Sequence, residues 1–124
     1  MTKNVLIVDD NRDLRRMLAM FLQSRGYETS EAASGHEAIQ TAIATNPNLI
    51  VLDLKLPDMN GIDVVQAIRN HPRAVHIPII GCSAYSATEF REEALRAGMA
   101  EYLQKPISAA EIETVIKQFI FSNI

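Results

Sequence analysis

Leu49-Ile50-Val51-Leu52-Asp53-Leu54-Lys55-Leu56-Pro57-Asp58-Met59-Asn60-Gly61 is the stretch that decides the architecture. Four apolar residues run straight into a carboxylate, and Pro57 and Gly61 then end regular structure. An unbroken apolar run this short suits a strand buried on both faces, as in a parallel sheet covered by helices. Asp53 then stands where the strand stops, at the carboxyl edge of the sheet, where open α/β sheets collect their ligands. A carboxylate delivered there by a rigid strand needs a partner, because an unpaired buried charge is expensive.

Outward from that strand, apolar runs alternate with segments of helical period. Asn4–Val8 reads as another buried strand, ending at Asp9-Asp10. Leu14, Met17, Leu18, Phe21 and Leu22 recur at helical spacing and predict an amphipathic helix stopped near Gly26. Tyr27–Ala32 is more polar and reads as an edge strand. Ser34, Ser86 and Ser108 each precede a glutamate by three residues, the spacing of a capping box, and predict three helix starts. A helix over 62–70 turns Val64, Val65 and Ile68 inward, and Ile77–Cys82 is a strand in which Pro78 is tolerable near the start. Ala100–Leu103 is a short last strand, and the final helix aligns Ile112, Val115, Ile116, Phe119 and Ile120. Phe121 and Ile124 continue beside that stripe as a candidate partner surface or a frayed apolar end. Strands alternating with helices throughout predict a parallel α/β sheet with helices on both faces.

Composition narrows the function. At 124 residues the chain is expected to form one domain, 1–124, able to bury a core without disulfides or structural metal. Hydrophobic content of 48% with 22% charged residues argues against disorder, and a net charge of −3 offers no basic field for nucleic acid or anionic membrane. No apolar run approaches a membrane span, the N-terminus lacks a signal-peptide core, and the single Cys82 excludes an internal disulfide. A cytoplasmic location is expected. Met1 just before the first strand favours a natural start, with a piece cut from a longer protein as the alternative.

A parallel sheet gathers at one edge the residues that come after each strand: Asp9-Asp10, Asp53, Ser83-Ala84, and Lys105-Pro106 after the last strand. Three carboxylates cannot all stay ionised at close range unless a cation joins them. Lys105 offsets part of the repulsion and a hard divalent ion would offset more. All-oxygen ligands favour Mg²⁺ over Zn²⁺, with Mn²⁺ as an alternative.

This set, Asp9-Asp10, Asp53 with Pro57 and Gly61, Ser83-Ala84 and Lys105-Pro106, resembles the receiver domain of two-component response regulators across the whole chain. The resemblance implies the doubly wound, flavodoxin-like strand order 2-1-3-4-5, which alternation alone does not supply. It implies that Asp53 accepts a phosphoryl group from the phosphohistidine of a histidine kinase or a histidine phosphotransfer protein. Asp10, Asp53 and the Lys55 backbone carbonyl would bind Mg²⁺ directly, with Asp9 acting through a metal-bound water. Ser83 and Lys105 would each cover a phosphoryl oxygen, and Pro106 is a candidate cis-proline. On phosphorylation Ser83 moves toward the new acceptor, Tyr102 rotates into the vacated space, and the helix 4–strand 5–helix 5 face changes for a downstream protein. Family members are not enzymes in the usual sense, although they assist their own phosphorylation and hydrolysis. A monomer is expected, with dimerisation on phosphorylation as an option.

Further expectations attach to single residues. Lys55 and Tyr85 depart from the commonest residues at their positions and are expected to shield the acyl phosphate from water. The arginines of the first helix, Arg12, Arg15, Arg16 and Arg25, make it the candidate kinase-docking face. Asp58 reads as a loop residue, Cys82 as a small apolar one, and His36, His71 and His76 as surface groups, since nothing pairs them at ligand spacing. Met17 and Met20 read as core filling or surface. Other classes fail on the residues: Gly81-Cys82-Ser83-Ala84-Tyr85 lacks the second glycine of a hydrolase elbow and no His follows it. Asp53-Leu54-Lys55 lacks the acid–base aspartate of a haloacid-dehalogenase-like phosphatase, and the five glycines form no nucleotide-binding loop.

Overall fold

The computed structural model describes residues 2–120. Phe121 and Ile124 lie outside the described residues. The elements run β1 (Asn4–Val8), α1 (Arg12–Ser24), β2 (Glu28–Ala32), α2 (Gly35–Thr45), β3 (Leu49–Asp53), α3 (Gly61–Arg69), β4 (Ile79–Ser83), α4 (Ala87–Ala97), β5 (Glu101–Gln104) and α5 (Ala109–Ile120). All strand pairs are parallel, in the order β2-β1-β3-β4-β5. This is the doubly wound, flavodoxin-like arrangement expected. β4 starts at Ile79 rather than Ile77, since Pro78 has no N–H for the ladder; its carbonyl instead accepts from Ile50 N.

Strand alternation divides the interior into two cores. Val5, Ile7, Leu49, Val51, Ile80 and Cys82 point to one face, where Ala19 and Leu22 of α1 and Ile112 and Ile116 of α5 cover them. Leu6, Val8, Ile50, Leu52 and Ile79 point to the other, under α2, α3 and α4. Every residue of β3 and β4 is buried, so the central strands are apolar on both faces, whereas the edge strand β2 has burial only at Ala32.

α1 buries only part of its apolar stripe. The small Ala19 and Leu22 meet the sheet, Leu18 and Phe21 are half-buried, and Leu14, Met17 and Met20 are 49%, 66% and 60% exposed. Arg15 takes part of the inward side, its guanidinium donating to the Asp9 carbonyl (2.9 Å) and to Glu31 Oε1 (2.8 Å). The apolar stripe therefore faces partly into a groove between α1 and α5.

The three capping boxes differ. Ser108 and Glu111 complete theirs in both directions, Glu111 N donating to Ser108 Oγ (3.1 Å) and Ser108 N to Glu111 Oε1 (3.4 Å). Ser34 Oγ accepts from Glu37 N (3.2 Å), and Asp58, from the loop after β3, adds two bonds from Gly35 N (2.8 Å) and His36 N (3.0 Å). Those two backbone donors hold the Asp58 carboxyl below its ordinary range. Ser86 corrects the expectation: it occupies the N-cap position of α4 but makes no side-chain cap bond, while Gln104 Oε1 accepts from the Ala87 N–H (2.8 Å), the first amide of the helix.

Gly61 is required by close approach, since a Cβ there would stand 2.6 Å from the Leu54 Cα. Arg69 closes the α3–α4 side. Its Nε and Nη2 donate to the Gly98 carbonyl (3.0 and 2.8 Å), and Nη1 to the carbonyls of Val75 (2.9 Å) and Ile77 (2.7 Å). Gly98 ends α4 at φ +113, in the left-handed region that favours glycine. Burial pulls the Arg69 pKa down, and among the described residues its hydrogen-bond partners are carbonyl oxygens, with no carboxylate. Arg69→Met keeps the stem and strips these carbonyls of their donor, which is expected to cost about 2–3 kcal/mol in urea unfolding. An unchanged urea midpoint with unchanged slope would show that the clamp contributes nothing.

Candidate functional site

β1 and β3 are neighbours in register, Val8 opposite Leu52, so the residues after each pair arrive together at the carboxyl edge. Asp9 and Asp53 share the parity of Ile7 and Val51 and lean toward the α1/α5 face. Asp10 follows on the exposed rim. One carboxylate oxygen from each of Asp9, Asp10 and Asp53 lies within 4.8 Å of the others. Asp53 is 9% exposed at the end of a fully buried strand. Its Oδ1 accepts from Lys55 N (3.0 Å) and its Oδ2 from Lys105 Nζ (3.2 Å). Lys105 also reaches Asp9 Oδ2 at 3.5 Å, while Asp9 Oδ1 accepts from Asn11 N (2.9 Å) at the start of α1.

The electrostatics are lopsided. Burial works against the Lys105 ammonium, but Asp53 and Asp9 together outweigh it and hold the amine above its ordinary range. One ammonium against three carboxylates leaves the cluster negative, and all the donors are oxygen. That set fits a hard divalent cation. Neighbouring Cys82 is no competing ligand: burial first, then Asp53 and Asp9 against Lys105, push its thiol up to about 12.

Ser83 lies one residue beyond Cys82, which is Asp53's partner in the β3–β4 register. It is buried, and its carbonyl accepts from Lys105 N (2.8 Å) and from the Tyr102 hydroxyl (3.3 Å). Tyr102 Oη also donates to the Tyr85 carbonyl at 2.6 Å, and the ring, 2% exposed, stands edge-on to Phe90 at 5.1 Å between centroids. The inward position assigned to Tyr102 only after phosphorylation is thus the one it occupies here. Phe90, for which the sequence alone suggests no role, in turn packs against Tyr85 at 5.4 Å. The Lys55 ammonium lies over the Tyr85 ring at 5.1 Å. The Lys105–Pro106 peptide bond is cis.

Three of the four arginines in and just after α1 form ion pairs within the chain, Arg16 and Arg25 while staying about half exposed. Arg15 and Arg16 both hold Glu31 of β2, and Arg25 holds the buried Glu113 of α5 through both oxygens (3.1 and 3.2 Å). Burial tends to raise the Glu31 pKa, but the two arginines override it and keep the carboxyl below its ordinary range. The surface α1 presents beside the site is instead apolar: a groove of about 790 Å³ runs from Asp53 and Lys105 past Leu14, Met17 and Met20. Those side chains are legible in the sequence; their outward direction is not. Among the histidines, His36 nears only Asp58 (3.9 Å), and His71 Nδ1 accepts from Arg73 N (3.1 Å). Among the described residues no helix is long and apolar enough to cross a membrane.

A model of the response regulator receiver domain matches residues 5–117. The polar-differentiation response regulator DivK of Brucella ovis is 32% identical over 120 residues, 97% of this chain and 98% of DivK. Chemotaxis response regulator CheY4 of Vibrio cholerae superposes with a TM-score of 0.90 at 28% identity, covering 96% of this chain and 99% of CheY4. The receiver domain of sensor histidine kinase PA1611 from Pseudomonas aeruginosa, which has a magnesium ion coordinated in its active site cleft, gives 0.87 at 30% identity over 98% and 99% of the two chains. With the strand order, the clustered carboxylates and the family match in agreement, the chain belongs to the receiver domain family of two-component response regulators.

Proposed function

We propose that residues 1–124 form one phosphoacceptor module that takes a phosphoryl group from the phosphohistidine of a histidine kinase or phosphotransfer protein onto Asp53. The observation that carries this is the convergence of Asp9, Asp10 and Asp53 within 4.8 Å, with Lys105 on two of them. The attacking Asp53 oxygen forms the new P–O bond as the P–N bond to the donor imidazole breaks, its electron pair returning to the ring nitrogen. Such transfer is catalysed by positioning and by neutralising charge on the equatorial oxygens. Asp10, Asp53 and the Lys55 carbonyl would hold Mg²⁺, or Mn²⁺ in its place, with Asp9 one water away. That ion supplies positive charge against the phosphoryl oxygens. Lys105 leaves Asp53 for a second oxygen, and the Ser83 hydroxyl donates to a third.

The magnesium ion in the PA1611 receiver domain supports the metal assignment, at 30% identity over nearly the whole chain. The protein is read as working in the cytoplasm as a monomer, without contacting nucleic acid, and as passing its signal through the α4–β5–α5 face to a downstream protein. The test is incubation with acetyl phosphate and Mg²⁺, with and without chelator, followed by mass mapping. A metal-dependent phosphoryl gain on Asp53 is expected; a gain on another residue, or none, would end the proposal.

The donor is read as docking on α1 through the apolar groove that continues from Asp53, with the phosphohistidine-bearing helix laid along Leu14, Met17 and Met20. Met17→Glu is expected to slow transfer from the protein donor while leaving acetyl phosphate uptake unchanged. Equal slowing of both would remove α1 as the docking face.

Lys55 and Tyr85 are read as a flap over the acyl phosphate, their contact closing one approach for water. Lys55→Asn with Tyr85→Ala is expected to speed loss of the phosphoryl group roughly two- to fivefold, the equivalent of one exposed cation–π contact. A phosphoryl half-life equal to wild type would discard the flap.

A further inference from the structure

β5 meets α4 through three of its four residues. Glu101 holds Arg91 with both oxygens (2.7 and 3.0 Å), the Tyr102 ring meets Phe90, and Gln104 Oε1 accepts from Ala87 N at 2.8 Å. The first two are an exposed ion pair and ordinary packing. The third is a bond to the first amide of α4 supplied from another element, on a helix start whose N-cap residue, Ser86, makes no side-chain bond.

We propose that Gln104 is a positioning residue that latches the start of α4 while Asp53 is unphosphorylated, and that phosphorylation of Asp53 opens the latch. The proposal rests on the phosphoacceptor reading above. The two ends of the latch ride on the two segments that a phosphoryl group on Asp53 pulls. Ala87 is four residues past Ser83, joined to it by Ala84-Tyr85-Ser86 alone, so a Ser83 hydroxyl turning toward the phosphoryl oxygens draws the loop with it. Gln104 stands opposite Ser83 in the β4–β5 register and directly precedes Lys105, which moves from Asp53 to the phosphoryl group in the same event.

A hydrogen bond weakens steeply with misalignment, so small displacements at either end break this one. The first turn of α4 then loses its only side-chain acceptor among the described residues and reorients at the face offered to the downstream protein. Coupling is reciprocal: the strength of the cap sets how readily the site accepts its phosphoryl group. Gln104 is itself exposed, so replacing it leaves the core intact.

The test uses the full chain with Mg²⁺ and beryllofluoride as the phosphoryl mimic, reading amide exchange at Ala87 and the affinity for the mimic. In wild type, beryllofluoride is expected to remove protection from the Ala87 N–H. Gln104→Ala should leave Ala87 unprotected in both states and tighten beryllofluoride binding about fivefold, the equilibrium equivalent of one helix cap. Gln104→Glu, whose carboxylate caps an N-terminus more strongly, should weaken it. A merely structural role would shift both variants the same way. Beryllofluoride binding at Asp53 with Ala87 protection unmoved, or both variants shifting together, overturns the latch alone. A wild-type protein that fails to bind the mimic overturns the phosphoacceptor reading and the latch with it.

Discussion

Asp53→Asn is expected to abolish phosphoryl uptake from acetyl phosphate, seen as complete loss of the mass gain shown by wild type under the same Mg²⁺. Asparagine preserves the shape of the side chain at the end of β3, and its carbonyl oxygen can still accept from Lys55 N–H, now 3.0 Å from Asp53 Oδ1. What it lacks is a nucleophilic oxygen anion, and no neighbour replaces it. Asp9 is tied to Asn11 N and Lys105, and Asp10 sits on the exposed rim rather than at a strand end. The variant also loses one of three carboxylates gathered within 4.8 Å, so its affinity for Mg²⁺ falls as well. Thermal unfolding separates this from a folding defect, since a charge removed from a crowded acidic cluster should leave stability equal or higher. A residual mass gain in the variant would move the acceptor to another residue.

Lys105→Met is expected to slow phosphoryl uptake by about 10²–10³-fold, the usual cost of removing one preorganised donor from developing negative charge. The same change is expected to tighten Mg²⁺ binding. Lys105 Nζ lies 3.2 Å from Asp53 and 3.5 Å from Asp9, so in the free protein it competes with the cation for the same two carboxylates. Methionine fills the stem's volume without the charge, leaving three carboxylates for the ion alone. Titration calorimetry should show affinity rising by about tenfold or more, given the Coulomb energy of a unit charge at this distance. The opposite signs make the prediction sharp. Slower uptake with weaker metal binding would mean that the lysine holds the site's shape; unchanged uptake would remove it from the chemistry.

The difference between what was legible in the chain and what was not comes from the range of the forces involved. Elements, their order and the two-faced burial of β1, β3 and β4 are written in local patterning: apolar runs of strand length, helical periodicity, proline and glycine as stops. That Asp9, Asp10, Asp53 and Lys105 share one edge is a direct consequence, because a parallel sheet leaves no choice about where its strands end; their closeness follows from the β1–β3 adjacency, which local patterning does not set. Periodicity, however, marks an apolar stripe without setting how far the helix is rotated against the sheet. That rotation turned Leu14 and Met17 outward and paired Arg15 and Arg16 with Glu31, so part of the basic charge the sequence suggested is taken up inside the molecule. A capping box likewise names candidate partners without fixing their geometry, so Ser86 makes no cap bond and the side-chain acceptor at the start of α4 comes from Gln104, a residue with no local signal. The inward Tyr102, the Arg69 clamp and the buried Glu113 have the same origin. Each is a contact between side chains remote in sequence, where the donor that arrives at the right distance and angle is chosen by the packing of whole elements. By itself the sequence determined the sheet, its two cores and the acidic edge; only the tertiary structure decided which polar groups found each other there, since directional bonds of short reach form after the apolar surfaces have fixed the frame.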